Sequence, residues 1–446
     1  MTKIFTAMTR RSPAIFAHLM NPRFFLASLL IFACGGCVHY SEQPLDASGS
    51  AARLGDRRLT GRTWTLRALT DEAVRHHPEV ALARAQYNTA KATVRTAGER
   101  PNPTLVLTPQ LVGPFNWMEG AYGIELDWTF ETAGKRAKRG DVAHANVNAA
   151  ACRAVDATWK VRAAVRKALL ELYAAERRGV LVASAIAKQG ELVKLIDARV
   201  RAGATSHIEM AQPRLMLVQL RMQEADVGKA AALARASLAE SLGMGTAGLS
   251  DARFSFAAFD NTQALSSSHR RTALTHRADV LAALADYAAA EAMLRLEIAK
   301  QYPDIHFNPG YQFDAGKDKW GLGLSVTLPI LNQNQGAIGE AEAKRREAAA
   351  KFNVVQTKVL TDCDRAAAGV NAARVKTSTA ANLIAEQQRR FETEKRLVVA
   401  GEGDKLTLLT GEVERAATEI TRLDAAIELQ AAIGALEEAT QSPRDK

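Results

Sequence analysis

The stretch Trp320–Gly336, WGLGLSVTLPILNQNQG, decides the fold. Leu322, Leu324, Val326 and Leu328 alternate with Gly321, Gly323, Ser325 and Thr327. This period of two gives a strand one apolar face and one small, polar face. Pro329 ends the alternation, a Gln/Asn/Gly turn follows, and an Ala-rich helix begins (AIGEAEAKRREAAAKF). The pattern occurs once before. In Ala121–Gly140, AYGIELDWTFETAGKRAKRG, Ile124, Leu126, Trp128 and Phe130 alternate with Glu125, Asp127 and Thr129, and a Gly turn again leads into an Ala-rich helix. Such strands suit a sheet with lipid on one side and water on the other.

Working outward, the chain is a tandem repeat. His76 pairs with His276, Pro103 with Pro303 and Pro109 with Pro309, each 200 apart; Gly123 pairs with Gly321 and Gly203 with Gly401, each 198 apart. The change of spacing predicts a two-residue loss in the turn between the strands. Each half reads helix, strand, strand, very long helix, helix. The leading strands alternate Leu105, Leu107 and Leu111 with Thr104, Thr108 and Gln110, and Ile305, Phe307, Tyr311 and Phe313 with His306, Asn308 and Gln312. Each strand has about the ~9–11 residues needed to cross an outer membrane at a tilt. Trp117, Trp128 and Trp320 fall near strand ends, where interfacial aromatics are useful. Four strands cannot close a barrel, and lipid does not tolerate open edges. Three copies would give a ring of ~12 strands.

From Ala133 to Ala202 there is no proline and hardly a glycine, and Gln335–Ala400 matches it. A helix of ~70 residues reaches roughly 100 Å and implies a coiled coil or helical barrel. Both end at equivalent turns, Arg201–Ser206 (RAGATS) and Val399–Asp404 (VAGEGD), where Gly supplies a left-handed stop. Ser206 with Glu209 predicts a capping box, and Asp404 an N-cap, so each turn closes a helical hairpin that runs back to about Gly243 or Thr440. The first helix runs from Thr65 to about Gly98 with a break near Pro78.

The expected organisation is a signal peptide with lipobox (1–37), an extended segment (38–63), repeat 1 (64–243), a polar linker (244–266), repeat 2 (267–440) and a tail (441–446). Phe24–Ala33 is an apolar run too short to span a bilayer but right for a signal-peptide core, with Met1 or Met20 as the start. Ala33-Cys34-Gly35-Gly36-Cys37 resembles a bacterial lipobox, with lipidation at Cys34 or Cys37; an ordinary signal peptide is the alternative.

The net charge of +10 falls to +6 without residues 1–33, leaving 54 bases against 48 acids. No basic run is interleaved with aromatics, so no nucleic-acid partner is expected. Cys152 and Cys363 lie in helices at non-equivalent repeat positions and read as buried thiols, a disulfide being the alternative. Gly134-Lys135-Arg136 lacks the rest of a phosphate-binding loop. The nine His lack metal-ligand spacing, and His207 reads as a solvated turn residue. Met210, Met216 and Met222 do not share a helix face and read as packing. No nucleophile–base arrangement is present, so neither an enzyme nor a cofactor or metal site is expected.

Together these features resemble the TolC family of outer-membrane efflux proteins, over residues ~64–440, and within it the CzcC-like members that serve heavy-metal resistance pumps. Glu131–Ala137, Leu328–Ile338, Arg201–Glu209 and Ala400–Leu409 carry the resemblance. It implies a mainly α protein with a β-barrel part: a trimeric, twelve-stranded outer-membrane barrel joined to a long periplasmic helical barrel. It implies a passive export duct of a tripartite system, with a periplasmic adaptor, an inner-membrane pump of the resistance-nodulation-division class and outer-membrane lipid as partners. Heavy-metal cations are the implied cargo; multidrug efflux or type I secretion are alternatives. A periplasmic coiled-coil adaptor or structural protein is the reading of another class, against which the strand hairpins argue. The implied adaptor contacts are Gly203, Ala204, Thr205, Ser206, Gly401, Glu402, Gly403 and Asp404, and the strand-to-helix turns are Gly134, Lys135, Arg136, Pro329, Asn332 and Gly336. The tip aspartates of the best-known family channel correspond to Thr407 and Thr410; the acids here are Glu209, Glu402 and Asp404.

Overall fold

The computed structural model describes residues 39–61, 63–112, 116–260, 269–314 and 316–442. The expected signal peptide, with Cys34 and Cys37, lies outside the described residues. The described residues fall into two units that divide between Arg53 and Leu54.

The segment expected to be extended contains helix α1, Ala47–Asp56. Asp46 starts it, accepting from the Ser48 hydroxyl (2.8 Å) and the Gly49 N–H (2.9 Å), as a carboxylate does at a helix N-terminus.

In the second unit each half gives two helices, a strand pair, a long helix and a return helix. The first half has α2 (Leu66–His76), α3 (Pro78–Ala97), β2 (Thr104–Val112), β3 (Asn116–Phe130), α4 (Lys135–Arg201) and α5 (His207–Ser241), preceded by the two-residue strand β1 (Thr63–Trp64). After the short strand β4 (Arg253–Phe254), the second half has α6 (His269–His276), α7 (Ala278–Ala299), β5 (Ile305–Asp314), β6 (Lys317–Val326), α8 (Gln335–Val399) and α9 (Lys405–Thr440). The break at Pro78 is a shared cap. His77 is extended, ends α2 and begins α3, its Nδ1 accepting from the Glu79 N–H at 3.2 Å, and Pro78 takes the first helical position.

The four long strands form one antiparallel sheet in the order β2-β3-β5-β6. Leu107 lies opposite Ile124, Ile124 opposite Tyr311, and Tyr311 opposite Trp320, so the apolar residues of all four strands share a face. That face is open: Leu322 is 79 % and Leu324 73 % exposed. Aromatics cross it, with Tyr122 on Phe313 at 5.0 Å and Tyr311 on Trp320 at 4.9 Å. The opposite face carries Gly123, Gly310, Gly321 and Gly323 among polar side chains, and there His306 Nδ1 lies 3.0 Å from Asp127 and 3.3 Å from Thr129 Oγ1.

Strand pairing relocates the two-residue loss. Leu107 pairs with Ile124 and Phe307 with Leu324, so both strands repeat at a spacing of 200 and the hairpins are equal in length. The loss lies in the long helices: α4 has 67 residues and α8 has 65.

α4 packs along α5, α7, α9 and α3, and α8 along α9 and α7. Buried residues of α8 fall at Val359, Cys363, Ala366, Val370, Ala373 and Ala380, the 4-3 spacing of coiled-coil packing. A core of Leu169, Leu172, Leu238, Leu69 and Val80 joins α4, α5, α2 and α3. Each such leucine contributes about 1.5–3 kcal/mol by leaving water. The expected polar linker enters this core. Leu249 and Phe259 are buried, β4 pairs in parallel with β1, and the Ser255 N–H donates to Trp64 O at 2.8 Å. The reason is its spaced apolar residues, Met244, Leu249, Phe254 and Phe259, which outweigh its polar average. Cys152 is half-buried, Cys363 is buried, and they are not joined in a disulfide. No described helix is long and apolar enough to cross a membrane.

Candidate functional site

The two hairpin tips are built alike. At the first, the Gly203 N–H donates to Val200 O (3.0 Å) and the Ala204 N–H to Arg199 O (2.9 Å). At the second, Gly401 donates to Val398 O (3.1 Å) and Glu402 to Leu397 O (3.0 Å). Both are Schellman stops, and both need a left-handed residue at the turn; φ is +70° at Gly203 and +79° at Gly401. Ser206 then caps α5 through the Ile208 N–H (3.2 Å), and Asp404 caps α9 through the Leu406 N–H (3.2 Å). The expected reciprocal capping box does not form: Ser206 bonds the second helical N–H, and Glu209 instead accepts the Thr205 hydroxyl. Thr410 spends its hydroxyl on Leu406 O, 2.9 Å away in its own helix.

The tips pack against each other. Leu192, Ile196, Met210 and Leu409 form one buried cluster, so Met210 is a packing residue, while Met216 and Met222 are exposed. Arg199, near the end of α4, pairs with Asp404 at the start of α9. The Arg199 guanidinium, then the Leu406 N–H, hold the Asp404 carboxyl below the usual carboxylate range. Asp404 thus caps its own helix and ties one repeat's tip to the other's.

That pair ends a ladder between α4 and α9 that the sequence alone did not reveal. Arg162 meets Glu437 (3.4 Å), Arg178 meets Asp424, and Lys188 meets Glu412 (2.7 Å). Every base is on α4 and every acid on α9. Arg166, buried beside Glu437, also donates to Gln430 Oε1 (3.2 Å) and lies over the Phe259 ring. Nearer the first tip, buried Gln189 of α4 donates to the carbonyl of Pro213 inside α5 at 2.8 Å.

The strand-to-helix junctions are built differently in the two halves. In the first, Lys135 Nζ lies 2.6 Å from Asp304 Oδ1, the Thr132 N–H donates to the same oxygen (2.9 Å), and the Thr132 hydroxyl donates to Pro303 O (2.7 Å). Burial pushes the Asp304 carboxyl up, but Lys135 and the Thr132 N–H outweigh it and hold it low. Arg136 donates to Gly98 O (2.6 Å), and Arg139 to Glu99 O (3.0 Å), satisfying carbonyls at the end of α3. Gly134 is left-handed, φ +67°, at the start of α4. In the second half Asn334, φ +65°, occupies that place, and Gly336 lies in the first turn of α8. Asparagine tolerates this conformation, and its Nδ2 donates to Glu297 O (2.8 Å) and Oε2 (2.9 Å) at the end of α7. Asn332 accepts the Asn334 N–H at 2.8 Å. Pro329 stops the strand: β6 ends at Val326, Leu328 lies beyond it, and the Ile330 N–H turns back to Leu328 O at 2.9 Å. Among the described residues no group of three or more His, Cys, Asp or Glu is placed to hold a metal ion.

Duplicated helical hairpins with matched tips, carried on strands apolar on one face and polar on the other, define a class of channel-tunnel proteins. The profile of the outer membrane efflux protein family matches residues 69–244 and 270–441. The chain belongs to that family, whose members are channels and not enzymes. No curated protein sequence matches it. Among solved structures, it is similar to the outer membrane protein VceC of Vibrio cholerae, with 20 % identity and a TM-score of 0.69, covering 84 % of this chain and 95 % of that one. It is also similar to the open state of the Neisseria gonorrhoeae MtrE outer membrane channel, with 16 % identity and a TM-score of 0.68 over 84 % and 88 % of the chains. A membrane protein from Pseudomonas aeruginosa gives 20 % identity and a TM-score of 0.70 over 84 % and 93 %.

Proposed function

We propose that the protein is the passive exit duct of a tripartite efflux system, a homotrimer whose strands form a twelve-stranded outer-membrane barrel and whose helices form a periplasmic tunnel. The observation that carries this is the four-stranded sheet, apolar and exposed on one face, polar and glycine-rich on the other, with two edges that no described strand pairs. Lipid and an aqueous lumen suit those faces, and further copies suit the edges. The tips, Gly203–Ser206 and Gly401–Asp404, dock a periplasmic adaptor that leads to an inner-membrane pump of the resistance-nodulation-division class. Heavy-metal cations are the cargo, a reading supported by the residues of Glu131–Ala137 and Leu328–Ile338. The mature N-terminus is lipidated at Cys34 or Cys37.

Membrane fractionation with chemical cross-linking tests the duct. Trimers in the outer membrane that cross-link to an adaptor through cysteines at the tips are expected, and a soluble periplasmic monomer overturns the reading. Deleting the gene should lower tolerance to heavy-metal cations; loss of tolerance to drugs alone reassigns the cargo. Mass spectrometry of the mature N-terminal peptide decides lipidation.

A further inference from the structure

The polar face of the sheet carries a side-chain cluster that a plain passive duct does not require. Asp127 and Thr129 stand two residues apart on β3 and so share a face, and His306 of β5 lies directly opposite Thr129. His306 Nδ1 is 3.0 Å from Asp127 Oδ1 and 3.3 Å from Thr129 Oγ1. The side chains of His306 and Asp127 are 32 % and 31 % exposed, so ions in solution reach them. We infer that these three groups form a weak site for a divalent transition-metal cation of the kind imidazole binds. The binding rests on the geometry; its role, a stopping point for cargo on the wall of the duct, rests on the duct reading.

Three observations carry the inference. Nitrogen and oxygen donors at roughly 2.0–2.2 Å from one ion lie roughly 3.0–3.4 Å from each other at adjacent coordination positions, and both separations at His306 fall in that range. Next, a proton does not serve the whole cluster. With a proton on Nδ1 the ring donates to Asp127, and the Thr129 hydroxyl cannot donate to it; without one, Thr129 donates and leaves a ring nitrogen that can no longer donate to the carboxylate. A cation accepts an electron pair from all three groups. Finally, the acid has no base of its own. Glu131 is paired with Arg139, Asp304 with Lys135 and Asp314 with Lys319, whereas among the described residues the ion-pair partner of Asp127 is the imidazole of His306. Glu125, two residues away on the same face of β3, adds negative potential that draws cations in.

The strength of the site suits passage. A structural zinc takes four protein donors. Here two strong donors and a hydroxyl leave water to complete the shell, so an ion binds and also leaves, as conduction requires. The repeat writes the cluster once. At the spacing of 200 that relates the strand pairs, Asp127, Thr129 and His306 correspond to Thr327, Pro329 and Val106, which cannot bind a metal together. One cation per chain is therefore expected. Asp127 and Thr129 lie 179 and 177 residues from His306, so no ligand spacing shows in the sequence.

Zinc chloride titrated into the purified full-length protein, followed by calorimetry, tests the site. His306→Ala and Asp127→Asn should each remove one binding event per chain relative to the parent, and Thr129→Val should weaken that event without removing it. Glu125→Gln, which takes a charge from the same face but no donor from the cluster, should keep the stoichiometry and lower only the affinity. Thermal melting without zinc guards against misfolding: a variant that melts like the parent yet loses the event has lost a donor, and if His306→Ala fails to fold, Asp127→Asn and Thr129→Val decide. A parent that binds no zinc, or isotherms unchanged in both His306→Ala and Asp127→Asn, overturns the site. In planar bilayers zinc should lower the conductance of the parent and leave that of His306→Ala unchanged. A conducting channel indifferent to zinc overturns the role in passage while the duct stands. Zinc bound at His306 by a chain that neither conducts nor fractionates with the outer membrane overturns the duct reading while the site stands.

Discussion

Replacing the tip glycines one at a time by alanine should loosen the turns in a definite order. At Gly203 and Gly401 an added Cβ meets nothing within 4 Å, so the cost is conformational alone. An L-residue held left-handed costs roughly 1–2 kcal/mol, which populates the opened turn about 5–30-fold more. Gly403 is different. Its Cβ would stand 2.7 Å from Val398 N and 3.0 Å from Leu397 C, atoms of the two residues whose carbonyl oxygens accept the Gly401 and Glu402 N–H groups. Gly403→Ala must displace that backbone and should exceed the effect of Gly401→Ala. Hydrogen–deuterium exchange of the purified protein reads this at the amides of Gly203, Ala204, Gly401 and Glu402. Exchange within twofold of the parent for Gly203→Ala and Gly401→Ala, or a smaller effect at Gly403 than at Gly401, would refute the reasoning. If the tips dock the adaptor, loss of export should follow the same order in trimers that still assemble.

Three further outcomes are expected. Asp404, held low by Arg199 and the Leu406 N–H, contributes stability that is present above its unfolded pKa and lost as pH falls through its lower folded value; the Leu406 amide should stay protected at neutral pH and lose protection only on strong acidification, and Asp404→Asn should remove that dependence while keeping the cap. Glu437→Ala leaves Arg166 buried against a missing acid and should cost roughly 3 kcal/mol, whereas Asp424→Ala, at an exposed rung with Arg178, should cost below about 1 kcal/mol; thermal unfolding followed by circular dichroism compares them. Asp304→Ala should cost roughly 1.5–3 kcal/mol by stripping Lys135 and Thr132 of a shared acceptor, with Asp304→Asn milder, read as a lowered melting temperature.

The repeat, the strands, the long helices and the tip stops were legible because each writes a period or a cap into contiguous residues. Leu322, Leu324 and Val326 announce a strand by alternation, and Gly203 and Gly401 announce a stop by chemistry. What sequence did not carry was the partner of each element. Arg162, Arg178, Lys188 and Arg199 look like scattered solvated bases until α9 lies beside α4. The two-residue loss was misplaced because Gly321 and Gly323 both fit the counterpart of Gly123, and only strand pairing chooses Gly323. Asn334 carries no sign of its role in the sequence, since its left-handed backbone and its hydrogen bonds to Glu297, 37 residues away, exist only once α7 lies beside the turn. The linker misled through its polar average, which hid Leu249 and Phe259.

The junctions also bear on how the strands direct the helices. α4 leaves the sheet through three sets of contacts: Lys135 and Thr132 to the foot of β5, Arg136 and Arg139 to the end of α3, and the left-handed Gly134. α8 keeps the second and third kinds in one residue, Asn334, but has no counterpart of the first among the described residues. The contact retained in both halves joins a long helix to the shorter helix before it, where unsatisfied carbonyls at a helix end need donors. The contact present once joins a long helix to the next hairpin of the sheet. The path of α4 away from the sheet is therefore set by the chain itself, through a shared charged acceptor. The path of α8, which follows Pro329 and a neutral turn, is set by Asn334 on the end of α7 and by packing along α7 and α9. A trimer would then alternate charged and neutral junctions around its ring, three of each. Movement of the long helices relative to the sheet should concentrate at the neutral junction, beside β6 and α8.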